Sequence, residues 1–184
     1  ELREELDSGK TTPEELFDKA NKLAHEFQDE YNSFVTIIDK CKYKDRDSKL
    51  CGIPYALKDN FSTTGILTTA SSNILKDYVP VYDATVYKKL KSAGGVLVGK
   101  TVLDELAMGG TGTTGNTGIQ LNPWDTTRIC AGSSSGSACA VASCFFSFKL
   151  CALAIILPSL IITAPTGTSS ISYAFFASFK ASLM

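Results

Sequence analysis

Residues 131–142 read AGSSSGSACAVA, a run of serines and glycines that passes directly into small apolar residues. Clustered hydroxyl groups and glycines at the start of a helix suit an anion or oxyanion, because free backbone N–H groups and the helix dipole favour negative charge. The alternative is a flexible Ser/Gly linker, but a linker does not normally lead into a segment as apolar as Ala138–Ala142. The stretch therefore predicts a functional loop that enters a small-residue helix at 137–143.

The chain before this loop alternates predicted helices with predicted strands. Thr12, Pro13 and Glu15 form a helix-start pattern, with an N-cap, a proline at the first helical position and a capping box. Apolar residues then recur at helical spacing, namely Leu16, Ala20, Leu23, Ala24 and Phe27. Strands are predicted at 34–39, 52–58 and 96–98, and further helices at 1–8, 101–107 and, after an N-cap at Asp83, through Ala93. This alternation predicts an α/β domain.

Composition excludes several classes of function. A net charge of −1 gives no basic surface for nucleic acid or for an anionic membrane. The six cysteines form no CxxC pair, and the one histidine, His25, lies beside the apolar stripe of its helix, so a Cys/His zinc site is not expected. We interpret His25 as a surface residue and the cysteines as reduced thiols. We expect a cytoplasmic location, with an organelle as the alternative.

Two segments match phosphate-binding patterns. Residues 94–101 fit GxxxxGK[ST] with Lys100 as the lysine, and residues 110–115 fit GxGxxG. The first pattern binds phosphate when a strand precedes a glycine-rich loop. Here Val96–Val98 fill the loop and are typical of a buried strand instead. A P-loop nucleotide-binding module is therefore kept as the rival function from a different class, and the second match is discarded.

Lys58 lies at the end of an apolar run, GIPYALKDN at residues 52–60. Burial lowers the pKa of a lysine, which makes the amine a candidate base near neutral pH. The alternative is a structural lysine whose stem covers apolar surface while its charge reaches water. With a single histidine, a Ser-His-Asp triad is poorly supported, so a lysine is the better candidate base for an activated serine.

Five segments occur in order and resemble the first part of the amidase signature family. They are GIPYALKDN, AGGVLVGKT, DELAMGG, NPWD and AGSSSGSACAVA, all within residues 52–142. Within the family, the DELAMGG and NPWD segments are most similar to the A subunits of glutamyl-tRNA(Gln) amidotransferases. The resemblance covers about residues 1–143 and implies an α/β fold with a mixed sheet between helices, incomplete in this chain.

The resemblance also implies a mechanism. Lys58 matches the family's lysine base, and Ser133 matches a relay serine that follows a cis peptide bond. A nucleophilic serine further along would attack the amide of glutamine, pass its proton through Ser133 to Lys58 and release ammonia. This subunit would need no cofactor, because ATP and Mg²⁺ are used by a partner subunit. The implied partners are the B and C subunits and, through them, charged tRNA, with no membrane partner. A small-molecule amidase of the same family is the alternative.

The sequence departs from the family at three points. Ala131 and Ser135 replace glycines of the serine loop, and the first change is costly only if residue 131 needs a positive φ. The nucleophile is expected near residue 157, where this chain has Leu157 followed by Pro158. Ser159 lacks the glycine-rich backbone that an oxyanion site requires. We therefore expect this chain to be inactive.

Composition changes abruptly near residue 143, which predicts two parts, 1–143 and 144–184. The second part contains no acidic residue, and its two basic residues are Lys149 and Lys180. A frameshift, a retained intron or a mistaken gene model would explain an apolar tail unrelated to the family. The alternative is a membrane segment at 150–164, although it falls short of the ~20 residues that a spanning helix needs.

Overall fold

The computed structural model describes residues 2–147 and 153–155. The helices are α1 (Leu2–Asp7), α2 (Pro13–Tyr31), α3 (Thr85–Ser92) and α4 (Ser135–Ser147), and the strands are β1 (Phe34–Ile37), β2 (Pro54–Lys58), β3 (Val96–Thr101) and β4 (Leu153–Ile155). Two short 3₁₀ turns cover Asn73–Leu75 and Glu105–Ala107. The predicted alternation of helices and strands is thus confirmed in the described part of the chain.

The strands form one mixed sheet in the order β1-β3-β2-β4. β3 pairs antiparallel with β1 and parallel with β2, and β2 also pairs parallel with β4. Every residue of β2 and of β3 is buried, as expected for central strands covered on both faces. The register aligns Leu57 with Lys100 and Lys58 with Thr101, so two lysines lie on the adjacent central strands, one register position apart.

Helix α2 begins as the sequence predicts. The Thr12 hydroxyl accepts a hydrogen bond from the Glu15 amide, and the Glu15 carboxylate accepts one from the Thr12 amide, which forms a complete capping box. The apolar face of α2 then packs on β1 and β3, together with Ala140 of α4. Phe17, which the predicted stripe omitted, is also buried there. On the other face of the sheet, Leu90 of α3 packs against residues of β2 and β3.

Two predictions about local structure were wrong. No helix opens at Thr101, because its backbone pairs with both neighbouring strands and its hydroxyl bonds to Ser137, so β3 extends through this residue. Asp83 does not cap α3 either, since Ala84 holds the N-cap position without a side-chain bond. The Asp83 carboxylate instead accepts from the Thr64 amide and pairs with Lys91.

The tail predictions reach only partly into the described residues. Residues 153–155, inside the segment considered as a membrane span, form the β4 strand, and the remainder of that segment lies outside the described part of the chain. Among the helices that the structure describes, none has both the length and the apolar character needed to cross a membrane.

Candidate active site

Lys58 ends the central strand β2 and is 1% exposed. Its Nζ donates a hydrogen bond of 2.8 Å to Oγ of Ser133, from 75 residues further along the chain. Burial lowers the pKa of Lys58, and the attraction of Asp104 opposes part of this shift. The structure therefore joins the two site residues that the sequence singled out, and it surrounds the amine with an environment that favours its neutral form.

Ser133 is held in the loop that precedes α4. The peptide bond between Gly132 and Ser133 is cis, as the resemblance implied. The Gly132 amide donates to the Gly110 carbonyl, and the Ser133 carbonyl accepts from the Asp104 amide. Ala131 has φ of +56°, so this departure from glycine falls in the left-handed region, where an L-residue is disfavoured.

Two other serines of the loop, Ser135 and Ser137, have structural side-chain partners. Ser135 donates to the side-chain oxygen of the buried Gln120, and Ser137 bonds to the Thr101 hydroxyl at 2.6 Å. These inward bonds start α4 at Ser135, two residues earlier than predicted. Ser135, the second departure from the family pattern, has thus acquired its own bond. Ser133 is the serine of this group whose hydroxyl meets the lysine.

Asp104 is a site residue that sequence reasoning missed. It follows β3, is fully buried, and accepts hydrogen bonds from residues 112–114. The sequence held a signal for it, because a carboxylate between an apolar strand and a glycine-rich loop has backbone amides within reach. The helix predicted at 101–107 contains Asp104, and that incorrect prediction concealed this environment.

The P-loop interpretation of Lys100 is wrong. This lysine lies within β3 with 0% exposure, and its Nζ is 3.1 Å from Oδ1 of Asp59. It also donates to the Phe61 carbonyl and to the hydroxyls of Thr63 and Thr68. Burial lowers the pKa of Lys100 and raises that of Asp59, and their mutual attraction opposes both shifts. The amine is surrounded by protein acceptors, so it has no route to a phosphate.

The GxGxxG match at residues 110–115 lies in a loop. The Gly112 amide points at the Asp104 carboxylate rather than outward, so it is not available to an anion.

His25 is a surface residue, as predicted, and its ring lies 3.0 Å from the Asp39 carboxylate. Within the described residues no group of three or more His, Cys, Asp or Glu could hold a metal. Leu157 and Ser159, at the expected position of the nucleophile, lie outside the described residues.

Comparison with known proteins gives the family. The family model described as Amidase matches residues 14–151. The A subunit of the glutamyl-tRNA(Gln) amidotransferase of Sulfolobus acidocaldarius is 45% identical over 147 residues, which are 76% of this chain and 31% of that protein. The corresponding protein of Halothermothrix orenii is 46% identical over 149 residues, or 78% of this chain and 31% of the relative.

Solved structures similar to this chain include an amidotransferase A subunit and a cyclic dimer hydrolase. The crystal structure of the glutamyl-tRNA(Gln) amidotransferase A subunit from Thermotoga maritima matches with a TM-score of 0.62 and 37% identity, covering 73% of this chain and 32% of that one. The 6-aminohexanoate cyclic dimer hydrolase, complexed with substrate, matches with a TM-score of 0.69 and 27% identity, over 78% of this chain and 31% of the hydrolase.

An α/β protein with a buried lysine–serine pair at the end of a central strand is thus matched in sequence and in structure by amidases. The chain belongs to the amidase family. It spans 31% of the length of the Sulfolobus relative.

Proposed function

We propose that this chain is the first part of a glutaminase that resembles the A subunits of glutamyl-tRNA(Gln) amidotransferases. The complete enzyme would release ammonia from glutamine, and a partner subunit would use ATP and Mg²⁺ to convert the glutamate on tRNA(Gln) to glutamine. The relatives that share 45% and 46% identity with the chain carry the name of this amidotransferase. We also propose that the complete enzyme assembles with B and C subunits, acts on charged tRNA through them, and is located in the cytoplasm.

The observation that carries the chemistry is the 2.8 Å hydrogen bond between Lys58 Nζ and Ser133 Oγ. A nucleophile and a base must stand within hydrogen-bond reach of each other or of a relay group. In the proposed reaction Ser133 takes a proton from the attacking serine while its own proton moves to Lys58. The attacking oxygen then bonds to the amide carbon, and the C–N bond breaks as the proton is returned to the leaving ammonia.

In this chain, we propose, the pair has lost the residue that it should activate. Leu157 occupies the expected position of the nucleophile, and an aliphatic side chain can neither lose a proton nor attack a carbonyl. The prediction is that the 184-residue chain hydrolyses no glutamine although Lys58 and Ser133 are in contact.

A chimeric protein, called the graft, would test the roles of Lys58 and Ser133 separately from the loss of the nucleophile. Residues 1–143 would replace the corresponding part of the Sulfolobus acidocaldarius relative, which supplies its own remaining sequence, and the complex would be reassembled. We expect ammonia release from glutamine by the graft, and a loss of about 10²–10⁴ in kcat on Lys58→Ala, the usual contribution of a general base. The native 184-residue chain should release no ammonia in the same assay.

His25→Ala is the matched control, because His25 is exposed and its ring contacts a surface carboxylate, that of Asp39. It should leave the activity of the graft unchanged. An inactive but folded and assembled graft, or an active graft that tolerates Lys58→Ala, would contradict the proposed roles.

A small-molecule amidase remains the second candidate. Its support is the TM-score of 0.69 with the 6-aminohexanoate cyclic dimer hydrolase, against 0.62 with the Thermotoga protein. Sequence identity points the other way, at 27% against 37%. The parent gene's full-length product would decide between them: hydrolysis of glutamine favours the first function, and hydrolysis of other small amides alone favours the second.

A further inference from the structure

The carboxylate of Asp104 is fully buried and accepts four hydrogen bonds from one short segment. Oδ2 accepts from the Gly112 amide at 3.1 Å, and Oδ1 accepts from the Thr113 amide at 3.1 Å. The amide and the hydroxyl of Thr114 complete the set, at 3.3 and 3.0 Å from Oδ1. A charged acceptor with several backbone donors binds more strongly than a neutral one, so this carboxylate fixes the path of the 112–114 segment.

The same carboxylate lies against the loop that carries Ser133. A methyl group added to Gly132 would overlap Oδ2 of Asp104, and one added to Gly109 would lie 2.5 Å from its Cγ. The glycines at these positions therefore allow the carboxylate to approach the cis peptide bond. On its main-chain side, the Asp104 amide donates to the Ser133 carbonyl at 3.1 Å. One residue thus holds both loops around the lysine–serine pair.

The charge of Asp104 also reaches Lys58. Its attraction opposes the effect of burial, which lowers the pKa of the lysine. The three observations, namely the bonds to 112–114, the packing on Gly132 and the bond to Ser133, are independent of that charge effect. They connect Asp104 structurally to the loop of Ser133, whose hydroxyl accepts the hydrogen bond from Lys58.

We propose that Asp104 is the positioning residue of the Lys58–Ser133 pair, joining the 112–114 segment to the loop that holds Ser133 against Lys58. The proposal rests on the roles proposed above for Lys58 and Ser133. It concerns the state of the lysine, which can be measured in the 184-residue chain without any catalytic activity.

The test is a ¹³C NMR titration of the 184-residue chain labelled at lysine Cε, with the Lys58 signal assigned by its absence in Lys58→Arg. Asp104→Asn keeps the size of the side chain but removes its charge and turns an amide NH₂ towards backbone donors. We expect the Lys58 midpoint to move to lower pH and the amide protons of Gly112 and Thr113 to exchange about tenfold faster or more.

Asp59→Asn is the matched control, because it also neutralises a buried carboxylate, but one that faces Lys100. It should destabilise the chain while moving the Lys58 midpoint less than Asp104→Asn does. A folded Asp104→Asn chain with the wild-type Lys58 midpoint would overturn the proposal. That result would leave the proposed amidase function intact, since the function is tested by the Lys58→Ala graft.

Thr114→Val covers the case in which Asp104→Asn does not fold. Thr114 is exposed, and the change removes only the hydroxyl that donates to Asp104 and accepts from the Glu105 amide. A shift of the Lys58 midpoint supports the proposal, because Thr114→Val keeps the charge of Asp104 and changes only the hydrogen bonds that place its carboxylate. Faster exchange at Gly112 and Thr113 with an unmoved Lys58 midpoint overturns it, because the segment and the pair would then be uncoupled.

Discussion

Lys58 and Lys100 lie on adjacent strands, one register position apart, and both are buried. Lys100 has a carboxylate, two hydroxyls and a carbonyl around its amine. Among the described residues, the hydrogen-bond partner of Lys58 is a single hydroxyl, that of Ser133. Burial lowers the pKa of both lysines, but only Lys100 has a carboxylate in direct contact to hold its charge.

The comparison teaches that burial alone does not make a lysine a base. A buried charge with a full set of partners is structural, because removing its proton would leave the carboxylate unpaired. A buried amine whose one close partner is a hydroxyl can give up its proton at a smaller cost. The number and type of acceptors around Nζ, rather than exposure, separates the two roles here.

The largest expected effect that tests this difference is on stability. Lys100→Met would leave Asp59 buried without its counter-charge, which costs about 3–5 kcal/mol of unfolding free energy. Lys58→Met leaves a hydroxyl without its donor and should cost less than half as much. Urea unfolding of the two variants, followed by circular dichroism, measures both. Equal losses would mean that Lys58 is as structural as Lys100.

A second prediction concerns pH. The folded-state pKa of Lys58 lies below the ordinary value of 10.5, so between those two values the unfolded chain binds more protons than the folded chain. Unfolding free energy of the wild type, relative to Lys58→Met, should therefore rise with pH in that window, by at most about 1.4 kcal/mol per pH unit. Below the folded-state pKa the two curves should run parallel.

Ser133→Ala is the control for the pH experiment, because it keeps the lysine and its burial. It should retain the rise with pH that Lys58→Met loses, since burial is the main cause of the lowered pKa. A wild-type curve parallel to that of Lys58→Met up to about pH 10, near the ordinary pKa of a lysine, would show that the amine titrates like a solvated lysine. It would remove the distinction between the two sites.

Local chemistry made part of this architecture predictable. The capping box of Thr12 and Glu15, and the apolar run that became β2, involve neighbours in sequence, so short patterns identified them. The helix predicted at 101–107 failed because the partners of Thr101 lie in β1, β2 and α4, and no local pattern contains them.

The same limit of local patterns applies to the two lysines. The strand position of each could be inferred from its apolar neighbours, but the acceptors could not. Asp59 directly follows the last residue of β2 yet pairs with Lys100. Its amide still bonds to the Thr101 carbonyl, and successive residues of an extended chain point to opposite faces. Likewise Ser133 reaches Lys58 across 75 residues. The resemblance to amidases supplied that pairing, whereas composition and spacing did not.

The smallest expected effect lies in the loop that presents Ser133 to Lys58. Ala131 has a positive φ and is exposed, so Ala131→Gly relieves the left-handed strain without removing packing. The gain is partly offset by the extra freedom of glycine in the unfolded chain, which leaves about 0.5–1 kcal/mol of added unfolding free energy. Thermal or urea unfolding of the pair of proteins measures it.

The same substitution in a helix provides the check. Ala140→Gly lies inside α4, where the backbone is helical and the side chain is buried, so the same chemical change should cost about 1 kcal/mol or more. Opposite signs at the two positions would show that residue 131 needs a backbone conformation suited to glycine. A loss at both would mean that the Ala131 methyl group stabilises the loop. Alanine at position 131 would then stabilise the loop that presents Ser133, rather than lower the unfolding free energy of the chain.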